Sequence, residues 1–405
     1  MKLSRKKRIL IISLHFYPEQ FRINDIALEF VKNNYDVKVV TGIPNYPAGR
    51  FYKGYGFWKR RKEKWNGINI QRLFIFPRFK NKITLTINYL SFIVSGYFWS
   101  KIEKGIFDYV FVFATSPIFQ ALPAIWYSKR FSKPVYLYVQ DLWPESLIIA
   151  GGIKNKYVLS VVDKIVNYIY SKSHLIFVTS QGLREEILKR NIEEDKVIYL
   201  PQYAEEFYKP IEKSTVPEFD SKAFNITFTG NIGYAQGLEI LPKIAKVLLE
   251  KTSKRIVFNL IGDGRAKEKL IKIIKENNVE QMFNFVDYKS SKEIPRYISA
   301  SDVVLLSYQK NELLSKYIPA KLQSYMACGK PILAIADGET KRIIEEAKCG
   351  ICVEQNDING IVEAILKLSE MKNTDLQLIG YRGYEYYIKH FSKQVLIPKL
   401  LKYFE

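Results

Sequence analysis

Short apolar runs alternate along this chain with stretches in which apolar residues recur every three or four positions. The runs read as strands buried on both faces, and the spaced stretches read as helices. Residues 9–14 form the first such strand, 23–34 an amphipathic helix and 36–41 the second strand. Residues 70–76, 109–114, 134–140, 175–179 and 197–200 continue the strand series, with a helix over 182–190. The pattern then breaks into QYAEEFYKPIEKSTVPEFDSKA, which is charged, proline-bearing and aperiodic. It reads as a linker over 204–222. Beyond it the pattern restarts, with strands over 225–229, 255–261, 283–286, 303–306, 331–335 and 350–353. Helices are expected over 238–249, 266–276, 292–300 and 340–347, and two more near 376–391 and 395–404.

The expectation is an α/β chain of two Rossmann-like, doubly wound domains, 1–203 and 223–385, with 386–405 as a C-terminal helix. Parallel sheets covered on both sides bind ligands at the carboxyl ends of their strands. A cleft is expected where two such domains face each other. A length of 405 residues agrees with two cores rather than one.

The most informative stretch is 301–336, SDVVLLSYQKNELLSKYIPAKLQSYMACGKPILAIA. It reads as strand, polar loop, helix, glycine turn, strand. Pro319 suits the first turn of the helix, and Gly329 suits a left-handed cap at its end. A helix N-terminus at a strand end, fed by a loop carrying Lys316 and Lys321, is an anion site.

Charge changes the picture. Lys and Arg number 62 against 41 Asp and Glu, a formal net charge of +21. Such an excess favours a polyanionic partner. The basic residues are spread and no nucleic-acid module is visible, so a phosphorylated substrate or an anionic membrane is expected. Cys328, Cys349 and Cys352 include one C-x-x-C pair without a second, which argues for reduced structural thiols and against a zinc site. No D-x-D cluster follows a strand to hold a divalent ion.

Two segments bear on the membrane. The start, MKLSRKKRILIISLHF, has the basic beginning of a signal peptide but a short apolar run and no small-residue cleavage site, so it reads as the first strand. Residues 83–102, ITLTINYLSFIVSGYFWSKI, are uncharged until Lys101 and about as long as a membrane span needs. Thr and Ser recur along them, while Leu90, Ile93, Val94, Tyr97 and Phe98 fit a helical stripe. A helix lying in the interface, or buried in the fold, is expected rather than a span. Phe51, Tyr52, Tyr55, Phe57 and Trp58 also lie among Lys53, Lys59, Arg60, Arg61, Lys62 and Lys64, a mixture suited to an anionic interface. Peripheral attachment of the first domain is therefore expected.

Chemistry concentrates at the strand ends. GNIGYAQG, with Gly230, Asn231, Gly233 and Gln236, joins a strand to a helix and can approach phosphate. The plainer reading is turn chemistry. Gly262-Asp263-Gly264 precedes Arg265, and Tyr288 follows another strand. In the first domain QDLWPES sets Asp141 and Glu145 about Trp143, whose face could carry a sugar while a carboxylate accepts a hydroxyl. Asp141 could instead cap a helix. YPEQFRIN supplies Arg22 and Asn24 after the first strand, where His15 also stands. TGIPNYPAGRFYKGY supplies Asn45 and Tyr46, a loop suited to an acceptor sugar or lipid-phosphate head.

The forms IPAKLQSYMACGKPI, GNIGYAQGLE and VQDLWPES together resemble the retaining glycosyltransferases of family 4, in particular bacterial exopolysaccharide, O-antigen and capsule members. The resemblance covers nearly the whole chain. It implies the GT-B fold, with the C-terminal helix returning to the first domain. It implies transfer of a sugar from a UDP-sugar or other nucleoside-diphosphate sugar, with retention and without metal or further cofactor. The acceptor would be a saccharide on polyprenyl diphosphate at the inner face of the cytoplasmic membrane.

By that resemblance the donor meets Gly230, Asn231, Gly233, Gln236, Gly262, Asp263, Arg265, Tyr288, Lys316, Pro319, Lys321 and Ser324. Asp141, Glu145 and Arg22 would be catalytic, and Asn45, Tyr46 and Trp143 would hold the acceptor. The chain departs from the family in four places. The family's paired glutamates align with Lys316 and Ser324. The basic pair for the diphosphate is missing near Asn231 and Gln236, leaving Arg265, Lys316, Lys321 and Lys341 as candidates. The loop around Arg22 has no glycine, and Gln140 replaces a histidine. Two other functions fit this architecture: a sugar-nucleotide 2-epimerase, which needs His and Glu acid–base groups, and an inactive membrane-associated nucleotide-sugar-binding protein.

Overall fold

The computed structural model describes residues 5–79, 81–149, 152–212 and 214–405. The first four residues of the basic start lie outside them. The chain divides into two compact units, Met1–Leu200 with Lys399–Glu405, and Pro201–Pro398.

Unit 1 holds β1 (Arg8–Ile12), β2 (Asp36–Thr41), β3 (Lys62–Trp65), β4 (Ile68–Arg72), β5 (Tyr109–Ala114), β6 (Val135–Val139), β7 (Leu175–Val178) and β8 (Val197–Tyr199). They form one sheet in the order β3-β4-β2-β1-β5-β6-β7-β8. Neighbours are parallel except the β3–β4 hairpin. Strands such as VYLYV in β6 are buried at all five positions, as a sheet covered on both faces requires. The order reverses between β1 and β5, which makes their carboxyl ends the switch point.

The helices of unit 1 are α1 (Arg22–Lys32), α2 (Lys82–Ile102), α3 (Leu122–Phe131), α4 (Glu145–Ile149), α5 (Lys156–Lys172) and α6 (Gln181–Leu188). Right-handed crossovers put α1 on one face of the sheet and α2, α3 and α5 on the other. Near the C-terminus, Phe404 meets Phe30 of α1 at 4.8 Å, Tyr136 at 4.9 Å and Phe111 at 5.8 Å between ring centres.

The strand expected over 70–76 ends instead at Arg72, in a hairpin with β3. The KEKW sequence of β3 escaped the apolar-run criterion because it is a charged edge strand. Arg72, fully buried, pairs with Glu63 of β3 at 2.8 Å.

Unit 2 holds β9 (Phe224–Thr229), β10 (Ile256–Ile261), β11 (Phe283–Val286), β12 (Val303–Ser307), β13 (Ile332–Ile335) and β14 (Gly350–Val353), all parallel. Their order is β11-β10-β9-β12-β13-β14, with the switch point between β9 and β12. Its helices are α7 (Leu241–Lys251), α8 (Lys267–Glu276), α9 (Ile294–Ala300), α10 (Ala320–Ala327), α11 (Gly338–Ala347), α12 (Ile358–Glu370) and α13 (Asn373–His390). A last helix, α14 (Lys393–Leu401), has Pro398 inside it, and the chain from Lys399 onward belongs to unit 1.

The segment expected to be a linker is folded into unit 2. Ala204 and Val216 join the core around Ile298, Leu306 and Met326. Ser214 N donates to Ser299 Oγ at 2.9 Å, and Glu218 pairs with Lys289 at 3.0 Å. Charge and proline content hid a strap anchored inward by Ala204 and Val216, while Ile211 stays exposed.

Candidate active-site residues in each unit

In unit 2 the loops after β9 and β10 touch. Gly262 has a φ of +134°, and a Cβ there would come within 2.2 Å of the Gly230 carbonyl oxygen. Only glycine allows that approach. Ile232 N donates to Asp263 O at 2.8 Å, and Gly233 N donates to Gln236 Oε1 at 3.1 Å. This folded pair of loops sets the Ile232 carbonyl and the Asn231 side chain against Gly264.

Lys321, in the first turn of α10, reaches towards the same loop. Its Nζ lies 3.8 Å from the centre of the Phe228 ring, and a Cβ on Gly230 would meet its Cε at 3.0 Å. The Nζ is buried and has no hydrogen-bond partner among the described residues. Burial pushes its pKa down to about 7. A buried amine without a hydrogen-bond partner among the described residues, at a helix N-terminus and a glycine loop, is suited to receive an anion. Gly329 closes the same helix at a φ of +66°.

Pro319 precedes α10 in extended conformation rather than standing in its first turn. It borders a pocket of about 100 Å³ with Tyr308, Asn311, Ser315, Asp337 and Thr340. Ser324 is turned inward. It is buried, its hydroxyl donates to Ala320 O at 3.1 Å, and it meets the Tyr208 hydroxyl. Its place four residues into α10 turns it onto the strap over 204–222. Lys316 pairs with Glu312 at 3.4 Å. Asp263 and Arg265 are exposed, and Tyr288 is 77% exposed after the edge strand β11. The three thiols are free, and burial pushes each up to about 12.

In unit 1 the candidates gather after β1, β5 and β6. His15 Nδ1 lies 2.8 Å from Glu19 Oε2, and both side chains are buried. Glu19 Oε1 accepts from Asn45 N at 2.7 Å and Tyr46 N at 2.6 Å. The His–Glu pair thus holds the Asn45–Tyr46 loop in place. Arg78 extends the cluster: its N donates to Asn45 Oδ1 at 3.3 Å, and its guanidinium stands 5.0 Å over Tyr46.

Asp141 follows β6 and accepts from Ser116 Oγ at 2.8 Å, after β5. It therefore ties the ends of two neighbouring strands. Burial raises its pKa, with the Ser116 hydrogen bonds opposing. Tyr89 of α2 comes near Asp141, Arg78 and Tyr46, and its phenol is raised chiefly by burial. Arg22 opens α1 close enough to Tyr138 to offset part of that phenol's burial.

Trp143 is not an open platform. It is 4% exposed, its indole N–H donates to Ser116 Oγ at 3.2 Å, and its ring meets Phe119 edge-on at 5.2 Å. The apolar ring fills the pocket beneath the loop instead of lining a surface. Glu145 pairs through Oε1 with Arg190 at 3.4 Å, while its Oε2 is buried without a partner among the described residues. Arg190 also bonds Asp163 and Trp143 O, which anchors α4 to α5.

Sequence reasoning missed Glu19, Arg78, Tyr89 and Arg190. His15 and Glu19 stand four apart just after a strand, which was the available signal. The other three act from distant elements and carried none. A larger groove of about 710 Å³ lies elsewhere in unit 1, between Lys38, Gln71 and Glu103, and holds no candidate residue. Among the described residues no three His, Cys, Asp or Glu side chains converge on a metal-sized site.

Comparison with known proteins agrees with this architecture. Residues 211–386 match the family described as "Glycosyl transferases group 1". A protein of Escherichia coli (strain K12), provisionally named colanic acid biosynthesis glycosyl transferase WcaI, is 21% identical over 88% of this chain and 91% of its own. Sucrose-phosphate synthase from Thermosynechococcus elongatus superposes with a TM-score of 0.73 at 14% identity, over 98% of each chain. Anabaena HepE, solved in complex with UDP, gives 0.65 at 11% identity, over 98% of this chain and 99% of its own. The fold is therefore GT-B; over residues 211–386 the chain carries a Glycosyl transferases group 1 domain, and it is a glycosyltransferase.

Proposed function

We propose that this enzyme takes a nucleoside-diphosphate sugar as donor and extends a saccharide carried on a lipid diphosphate, as part of bacterial surface polysaccharide synthesis. Its attachment would be peripheral, at the inner face of the cytoplasmic membrane. The observation that carries the donor assignment is Lys321, a buried amine beside the Gly230–Gly262 loops with no hydrogen-bond partner among the described residues. The UDP bound in the Anabaena structure supports a nucleotide donor here.

In this reading the diphosphate settles between the Gly230 loop and the N-terminus of α10. Its charge is met by Lys321 and by backbone N–H groups, which also stabilise it as it leaves. Asp141 accepts a hydrogen bond from the acceptor hydroxyl and aligns it, with Asn45, Tyr46 and Tyr89 around it. Transfer proceeds with retention and uses neither metal nor cofactor. The His15–Glu19 pair has the composition an epimerase would need. Its carboxylate is already engaged by two backbone amides, which favours a positioning role.

The test is a thermal-shift screen of nucleotide sugars, followed by transfer assays with saccharides on polyprenyl diphosphate. A donor that raises Tm and is consumed only with acceptor supports the reading. Epimerised donor released without acceptor would overturn it, and so would donor binding with no transfer to any lipid-linked acceptor.

A further inference from the structure

Helix α2 wears its apolar side outward. The side packed on the fold carries Asn88, Phe92, Gly96, Trp99 and Ser100. Asn88 Nδ2 donates to Phe76 O, and Gly96 sits so close to Pro123 of α3 that a Cβ would lie 2.3 Å from its ring. The opposite side carries Ile83, Ile87, Leu90, Val94, Phe98 and Ile102, which are 42% to 74% exposed. Their three- and four-residue spacing draws one stripe about 28 Å long at 1.5 Å per residue. Phe76, whose backbone is bonded to Asn88 and Ser91 of α2, and Phe79 are exposed as well.

A second exposed stripe runs along α5, through Tyr157, Val158, Val161 and Tyr168. Both helices pack against α3 and the turn Ile118–Ala121, on the same face of the sheet. Cations border both stripes: Lys101 and Lys104 near the end of α2, Lys154 just before α5, and Lys156, Lys164 and Lys172 along α5, all exposed. The aromatic and basic segment at 51–64, expected to share this role, is largely folded on itself. Phe57 stacks on Phe74 at 4.3 Å, Arg61 is bonded to the Arg72 and Phe57 carbonyls, and of the five rings only Trp58, at 91%, is freely exposed.

We infer that the α2–α5 face is a membrane-docking surface that lies on an anionic bilayer, its apolar stripe in the headgroup–acyl boundary and its lysines against lipid phosphate. No helix among the described residues is long and apolar enough to cross a membrane, so α2 lies on the bilayer and does not span it. Charge decides the occupant. A second copy of a chain at +21 would be repelled, whereas anionic headgroups are attracted. The placement also has a consequence for the acceptor. Thr84 Oγ1 of α2 donates to Arg78 O at 2.6 Å, and Arg78 N donates to Asn45 Oδ1. A docked α2 therefore holds the Asn45–Tyr46 loop at headgroup depth, where a lipid-linked saccharide is presented.

This inference deepens the proposed reading, but its test uses no donor or acceptor, so the two can fail separately. Full-length protein is sedimented with vesicles of phosphatidylglycerol and phosphatidylethanolamine, and with vesicles of phosphatidylcholine, at low and high salt. Binding to the anionic vesicles that falls with salt is expected. The variant V94E/F98E should bind at least tenfold more weakly with an unchanged Tm, because both side chains are exposed. K156E/K164E should lose affinity chiefly at low salt. Absence of vesicle binding would overturn the inference, as would full binding by V94E/F98E. So would sedimentation velocity showing a dimer that V94E/F98E dissolves while vesicles bind neither form.

Discussion

The Lys321 ammonium nitrogen stands 3.8 Å from the centre of the Phe228 ring and has no hydrogen-bond acceptor among the described residues. Burial brings its pKa down to about 7, against about 10.4 in an unfolded chain. Between these values the unfolded state binds more protons. Stability contributed by this residue is therefore lost as pH falls towards 7 and regained as it rises. Lys321→Met is expected to raise Tm at about pH 6 to 7 and to flatten the dependence above it. In the proposed donor site a diphosphate favours the protonated amine, so donor affinity should fall as pH rises past about 7, by up to about tenfold per unit. Calorimetric titration across this range checks it; a slope that survives in Lys321→Met removes Lys321 from the donor site.

Asp141 is raised by burial and held by Ser116. If its carboxylate aligns the acceptor, turnover should fall on acidification at a pH above the usual aspartate range of about 4. Asp141→Asn keeps the size and the hydrogen bond from Ser116. It is expected to lower kcat by about 10²-fold or more while donor affinity and Tm barely change. Wild-type turnover in this variant would reduce Asp141 to a tie between strands.

The buried pair of Arg72 and Glu63 fastens the β3–β4 hairpin. Arg72 also donates to Tyr17 O at 2.9 Å and Arg60 O at 3.2 Å, so it links the hairpin to the loop after β1. Glu63→Gln leaves a buried guanidinium without its counter-ion and should cost about 3 kcal/mol or more. The double change R72M/E63L should cost less than Glu63→Gln alone. Urea unfolding of the variants measures both.

Gly96 sets how closely α2 approaches α3. Gly96→Val would press a branched side chain into the Pro123 ring and should cost about 1–3 kcal/mol, seen as a lower Tm. The apolar stripe on the far side of α2 is untouched by this change, so vesicle binding at low temperature should persist.

Strands buried on both faces announce themselves as apolar runs, and for that reason the two sheets were legible in the sequence. KEKW in β3 was not, because an edge strand with charged side chains has no such signature. The strap over 204–222 was hidden for a related cause: its anchors, Ala204 and Val216, are too sparse to make a period. In the candidate site, glycine loops and the Asp141 segment were visible because they sit at strand ends. Burial was not visible. Trp143, Ser324 and Lys321 all looked available from the sequence. Only three-dimensional packing turned the first two inward and stripped the third of partners. Which way the α2 stripe faces was likewise undetermined by periodicity, since a period gives a face but not its direction.

Phe404 supplies a ring to the core of unit 1, between Phe30, Phe111 and Tyr136. The ribosome makes that ring only after every residue of unit 2. A nascent chain therefore carries an unfilled slot against α1 while nearly two hundred later residues, Pro201–Pro398, are being added. Domains ordinarily fold as units, the N-terminal one first. Here the first unit can begin early, but its packing around Phe404 closes only after unit 2 has been made.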